Sequence, residues 1–192
     1  MAETMRAALD DGTGQYIVQD VPMPEMFEGS AMIRIRQTGI CGSDLHVTTS
    51  RTEAQTLPSG HEVAGEIVEI PKGDHDLQVG DRVAIEMIGG GRACMSCHFC
   101  SYGQWRHCLN MAVDTGGGFA QYMTRRPAGL FKIPDSMDWT DAALVEPMAV
   151  SVHGFRFGQM EPNSVVGVVG SATIGLSSIA CAIINVGAPD PK

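Results

Sequence analysis

The chain has 192 residues, with 13 Lys and Arg against 22 Asp and Glu, for a net charge of −9 with His neutral. Hydrophobic residues make up 44% and charged residues 18%, which fits a globular chain of one domain, or one plus part of another, and argues against disorder. The acidic balance argues against a nucleic-acid or anionic-membrane partner, since both need clustered Lys and Arg.

The N-terminal MAETMRAALDDG carries no apolar h-region, so no secretory signal is visible and a cytoplasmic protein is expected. Short strands are predicted over Met5–Leu9, Tyr16–Val21, Ala31–Thr38, Val63–Ile70, Arg82–Glu86, Phe119–Thr124 and Gly129–Ile133. Turn-formers separate them: Asp11-Gly12, Pro22 and Pro24, Gly73-Asp74, Gly80-Asp81, Gly116–Gly118 and Pro134-Asp135. Strands at this spacing, with 23 glycines, point to a barrel or sandwich rather than a helical bundle. Helical character starts near Thr140, with Asp138 or Thr140 as a cap. A second helix is predicted from Pro147 to about Phe157.

Residues 162–189 carry no charge, which raises a transmembrane reading. The pattern changes midway, however. It opens as a β-branched run, Val165–Val169, then places Leu176, Ile179, Ala180 and Ile183 at helical spacing. A strand, a small-residue turn and a helix explain that switch better than one span.

Four of the six cysteines stand at Cys94, Cys97, Cys100 and Cys108. Two CxxC steps share a cysteine, and four thiolates so close in sequence can close a tetrahedral shell around Zn²⁺ with no open position. Such a site is structural. An iron–sulfur cluster is the competing metal reading, and free thiols or disulfides are a third. His98 and His107 lie inside the cluster, but four thiolates already saturate zinc, so they read as loop residues.

A second constellation is Cys41, Ser43 and His46, followed by His61 and Glu62 and, far downstream, by Glu146. Cys, His and carboxylate are the ligand types of a catalytic zinc that keeps one position for water or substrate. Taken singly, Cys41 reads as a buried small hydrophobe, His61 as a core histidine, Ser43 as a turn residue and His46 as a surface one.

In order and spacing the chain resembles the zinc-dependent medium-chain alcohol and polyol dehydrogenases. The matching segments are GICGSDLH at 39–46, GHEVAGEIVEI at 60–70, VGDRV at 79–83, the 94/97/100/108 cysteines, GGFAQYM at 117–123 and ALVEPMAVSVH at 143–153. The resemblance implies a mainly β GroES-like barrel over 1–158 as zinc-binding catalytic domain, then the first strand and helix of an incomplete α/β Rossmann domain over 159–192. It implies one catalytic and one structural Zn²⁺. Cys41 and His61 would hold the catalytic ion, with Glu62 able to swing on and off it and Glu146 in the remaining ligand position, as in the sorbitol, threonine and butanediol dehydrogenase branch. The four clustered cysteines would hold the structural ion. The implied activity is hydride transfer between a secondary alcohol or polyol and NAD(P), with Ser43 and His46 as the proton relay. The polar stretch Thr48–Pro58 is expected to border the substrate.

Gly170, Ala172, Ile174 and Gly175 lie in the strand–turn–helix context of a dinucleotide fingerprint. Ala172 replaces the glycine whose role is close backbone approach to the pyrophosphate, and Thr173 stands where the family often has Pro. The acid that holds the ribose lies about 20 residues past the last glycine, after Lys192, so NAD and NADP are not distinguished. The sequence therefore reads as a fragment, a truncated reading frame or one part of a split protein, and the 192-residue chain alone is not expected to be catalytically competent. Its 165–184 apolar face is expected to self-associate, and the full-length protein to be a homo-oligomer. The alternatives are a non-catalytic GroES-like zinc-binding module or truncated remnant, or a zinc protein anchored in a membrane by 162–189.

Overall fold

The computed structural model describes residues 3–50, 52–113, 115–161 and 163–186. They form two compact units, Met1–Ala143 and Leu144–Lys192.

In the first unit, β1 (Thr4–Asp10) and β2 (Tyr16–Pro22) make an antiparallel hairpin, paired from Thr4↔Pro22 to Asp10↔Tyr16. Its turn is tied by Asp11, whose Oδ1 accepts the N–H and hydroxyl of Thr13 at 2.8 and 2.7 Å. Next come β3 (Ala31–Gly39), α1 (Gly42–Ser50), β4 (Glu62–Glu69) and β5 (Arg82–Ile85). Two short helices follow, α2 (Gly89–Arg92) and α3 (His98–Ser101), then β6 (Tyr122–Arg125), β7 (Leu130–Lys132) and α4 (Trp139–Ala142). The five later strands form one antiparallel sheet in the order β6-β3-β4-β5-β7. Burial alternates along the first part of β1 and β3, as the pleat requires, whereas β4, β5 and β6 are buried at consecutive positions and so are covered on both faces. Ile33, Val63, Ile67, Val83, Ile85 and Met123 are each at most 2% exposed. Each such side chain stabilises the fold by about 1.5–3 kcal/mol.

All seven predicted strands of this unit are present, but they do not close a barrel. The sheet stays open among the described residues because closure needs both edges to pair. β7, one edge strand, is only three residues long. The hairpin meets the sheet through Phe119–Gln121. Ala8 N–H donates to Phe119 O at 2.8 Å, Gln121 N–H to Arg6 O at 3.1 Å, and Ile35 N–H to Gln121 O at 2.9 Å. That stretch bonds on both sides, so β6 begins at Tyr122 rather than Phe119. Asp138 sits at the N-cap of α4 but makes no side-chain cap bond; its carbonyl accepts the Ala142 N–H at 2.9 Å.

The second unit holds α5 (Val145–Phe157) and α6 (Thr173–Val186). Pro147 falls in the first turn of α5, where its missing N–H costs nothing. The expected strand Val165–Val169 is not formed. A strand exists only in a ladder, and this run pairs with no other among the described residues; Val165 and Val169 are fully exposed. The apolar face of α6 is largely uncovered, as expected. Leu176, Ile179 and Ile183 are 58%, 41% and 50% exposed, whereas Ser177 and Cys181 are buried. Small side chains let α6 lie against α5: Ser151 Oγ is 3.3 Å from Ser178 Oγ, and Cys181 Sγ is 3.5 Å from Met148 Sδ. No helix among the described residues is long and apolar enough to cross a membrane; α6 has 14 residues.

Candidate metal centres

β3 ends at Gly39, Cys41 follows, and α1 starts at Gly42. Asp44, in the first turn of α1, turns its carboxylate back so that Oδ2 accepts the Cys41 N–H at 3.0 Å, while the Asp44 N–H donates to Cys41 O at 3.0 Å. An acid in the first helical turn that reaches back to the residue before the helix satisfies an orphan donor there, as in a capping box. This fixes the backbone of Cys41.

The second strand of the site is β4. Glu62 pairs with Gly39 across the ladder, and a Cβ on Gly39 would collide with Glu62 Oε2. Glycine at 39 therefore makes room for the Glu62 carboxylate, which is 7% exposed. Sγ of Cys41, a ring nitrogen of His61 and a carboxylate oxygen of Glu62 lie within 4.8 Å of one another. A thiolate, an imidazole and a carboxylate at that spacing fit a zinc ion with room for a further ligand. The carboxylate of Asp44 also faces His61, Oδ1 lying 3.6 Å from Nδ1. Sequence reasoning missed Asp44. Its signal was present, an acid three residues after a cysteine at a helix start.

The second centre is the loop of α3. The sulfurs of Cys94, Cys97, Cys100 and Cys108 lie within 4.8 Å of one another. Backbone N–H groups of Cys94 and Asn110 point at Cys108 Sγ from 3.3 and 3.4 Å. Hydrogen bonds from Ser96, its hydroxyl first and its backbone next, hold the Cys94 thiol down at about 5. Backbone donors, Leu109 foremost, also lower Cys97. Burial pushes the Cys100 thiol up to about 12. Four soft donors, one of them already anionic near neutral pH, fit tetrahedral zinc. His98 and His107 are exposed and stack on aromatic neighbours: His98 on Tyr102 at 5.0 Å between ring centroids, and His107 on Phe99 at 5.8 Å.

Ser43 and His46 both lie on α1, three residues apart on one helix face, and both are exposed. Glu146 belongs to the second unit, in the first turn of α5. Gly170 adopts φ +93°, in the left-handed region, before α6 opens at Thr173. Ala172 is exposed beside it, and its carbonyl accepts the Leu176 N–H at 2.9 Å. Of the stretch Thr48–Pro58, expected to border the substrate, Arg51 lies outside the described residues.

Residues 28–135 match the family described as alcohol dehydrogenase GroES-like domain. The chain is 32% identical over 189 residues to sorbitol dehydrogenase of Bacillus subtilis strain 168, covering 94% of this chain and 53% of that one. Galactitol-1-phosphate dehydrogenase of Escherichia coli superposes with a TM-score of 0.80 at 31% identity, over 96% of this chain and 54% of that one. A protein of Sinorhizobium meliloti 1021, described as a zinc-binding dehydrogenase and bound to NADP, gives 0.78 at 28% identity, over 97% and 54%. The chain thus spans about half the length of the relatives it matches. The chain belongs to the alcohol dehydrogenase GroES-like domain family.

Proposed function

We propose that this chain carries the zinc-holding catalytic part of an oxidoreductase that moves a hydride between a secondary alcohol or polyol and NAD or NADP. The observation that carries the reading is the gathering of Cys41, His61 and Glu62 from two adjoining elements into one cluster, in a chain whose relatives include a sorbitol and a galactitol-1-phosphate dehydrogenase.

In this reading Cys41, His61 and Glu62 hold the catalytic zinc, with Glu146 as the remaining ligand from α5. Zinc bound there supplies Lewis acidity toward the substrate oxygen, lowering an alcohol's pKa toward neutrality. Ser43 accepts the hydroxyl proton of the substrate at its Oγ, and His46, one helical turn on, hands it to solvent. A histidine suits that duty because its charge changes near physiological pH. The sulfur of Cys41 and the carboxylate of Glu62 are donors that favour a cation in the site, and Asp44, beside His61, supports its ring. The cysteine loop holds the structural zinc and staples a segment whose described residues are mostly exposed.

The domain reading places 1–158 in the catalytic domain and 159–192 at the start of a Rossmann domain, with Gly170, Ala172, Ile174 and Gly175 facing the dinucleotide. Ala172 favours one second reading, a GroES-like module that holds zinc without binding nucleotide, because its methyl occupies the place where backbone would approach a pyrophosphate. The test is reduction of NAD or NADP by sorbitol or galactitol 1-phosphate, by this chain joined to a complete nucleotide-binding domain, in wild type, Ser43→Ala and His61→Ala. Loss of turnover in both variants is expected. Wild-type turnover in His61→Ala would overturn the reading.

A further inference from the structure

We propose that Tyr16 is a positioning residue for His61, acting through Ser59; this rests on the reading of Cys41, His61 and Glu62 as a metal site. His61 lies just outside the β4 ladder, which begins at Glu62. The aim of its ring is therefore set by what holds residues 59 and 60. The backbone of both is bonded to the facing segment: Phe119 N–H donates to Ser59 O at 2.8 Å and Gly118 N–H to Gly60 O at 2.9 Å. Gly60 has φ +91°, and a Cβ there would stand 2.6 Å from Phe119 Cδ1. The Phe119 ring thus lies close against Gly60, the residue that leads into His61.

Tyr16 closes this arrangement from the hairpin. Its hydroxyl oxygen is 3.0 Å from Ser59 Oγ, and either group can donate. Its ring meets Phe119 edge-on, at 5.4 Å between centroids and 86° between planes. Tyr16 is itself anchored, since it opens β2 opposite Asp10. Asp10 in turn holds the same loop further upstream: its N–H donates to Gln55 Oε1 at 3.1 Å, and Gln55 N–H donates to Asp10 O at 2.8 Å. The hairpin end therefore grips the 55–59 loop at both ends, two residues short of a candidate ligand. The ring alone satisfies the packing on Phe119. The hydroxyl is the part that reaches Ser59, and a buried or half-buried Tyr O–H that finds a partner fixes that partner's rotamer. A metal site must hold its ligands to within about 0.5 Å, which is the reason such support affects binding.

The experiment compares Co²⁺ binding to the full chain in wild type, Tyr16→Phe, Ser59→Ala and the double variant, by visible absorption in competition with a chelator. His61→Ala identifies the bands of the imidazole-bearing site, and the four-cysteine ion serves as internal control. Tyr16→Phe keeps the ring, so the fold is retained. Its expected effect is about three- to tenfold weaker Co²⁺ binding at the His61 site, the size of one net hydrogen bond. Binding at the cysteine loop stays unchanged, and the double variant is no worse than either single one. Unchanged binding at the His61 site, equal weakening at both sites, or additive losses in the double variant would overturn the inference. A wild-type chain that takes up only the four-cysteine ion would instead overturn the metal-site reading itself, and the inference with it.

Discussion

One carboxylate oxygen of Asp44 lies 3.6 Å from Nδ1 of His61, while the other accepts the backbone N–H of Cys41 at 3.0 Å. A single acid thus braces two candidate ligands that come from different elements. Asp44→Asn keeps the shape and one acceptor but removes the charge that faces the imidazole. Losing such support typically costs 10–100-fold in metal affinity, so Asp44→Asn should weaken zinc at the Cys41 site by about that factor. Titration calorimetry against a chelator reads this directly. Equal affinities would show that the carboxylate does not act on His61.

The cysteine loop should bind zinc more tightly as pH rises. Near neutral pH Cys94, held at about 5 by Ser96, is already a thiolate. Cys100, pushed up to about 12 by burial, is still a thiol and must give up its proton to the ion. Loading at pH 7 therefore releases protons, and affinity climbs with pH. On acidification Cys94 also protonates near pH 5, and the ion is lost. A zinc affinity that did not change between pH 6 and pH 8 would contradict this sign.

Arg125 is 1% exposed. Burial, helped by the charge of Arg92, lowers its guanidinium to about 9, so it remains cationic at neutral pH. It donates to the carbonyls of Thr124 at 2.7 Å, Gly116 at 2.7 Å and Thr115 at 3.1 Å. Arg125→Met fills similar space but leaves those acceptors without it. One unsatisfied buried polar group costs about 1–3 kcal/mol, so a loss of at least about 2 kcal/mol is expected in urea unfolding. An unchanged midpoint would contradict the role of these bonds.

The second unit exposes Leu176, Ile179, Ile183 and Ile184, together with Val165 and Val169. Exposed apolar side chains in this number favour association. Ile179→Lys with Ile183→Lys should leave the helical signal intact and lower the apparent mass in sedimentation. Wild-type chain that stays monomeric at high concentration would show that this face is inert.

Much of the fold was legible because period-2 patterns and turn residues act locally. Met5–Leu9, Ala31–Thr38 and Val63–Ile70 each fall within one residue of the observed strands. The four-cysteine cluster was equally legible, since its ligands are close in the chain. What failed depends on distant partners. The Val165–Val169 run has a strand's composition but no ladder, and only pairing makes a strand. The apolar stripe of α6 is uncovered, as its pattern suggested, but that α6 lies against α5 through Ser177 and Cys181 was not legible, because small residues carry no strong periodic signal. The barrel did not close because closure is a property of the sheet edges, which no single strand encodes. Asp44 was overlooked because its role appears only once β4 brings His61 beside α1.

The measurement that tests the account most directly is zinc per folded chain, by elemental analysis, in wild type and His61→Ala. The account predicts two zinc ions in wild type and one in the variant, because His61 serves the Cys41 centre and the cysteine loop is independent of it. One zinc in both would contradict it, leaving the cysteine loop as the metal site and Cys41, His61 and Glu62 as neighbours without an ion.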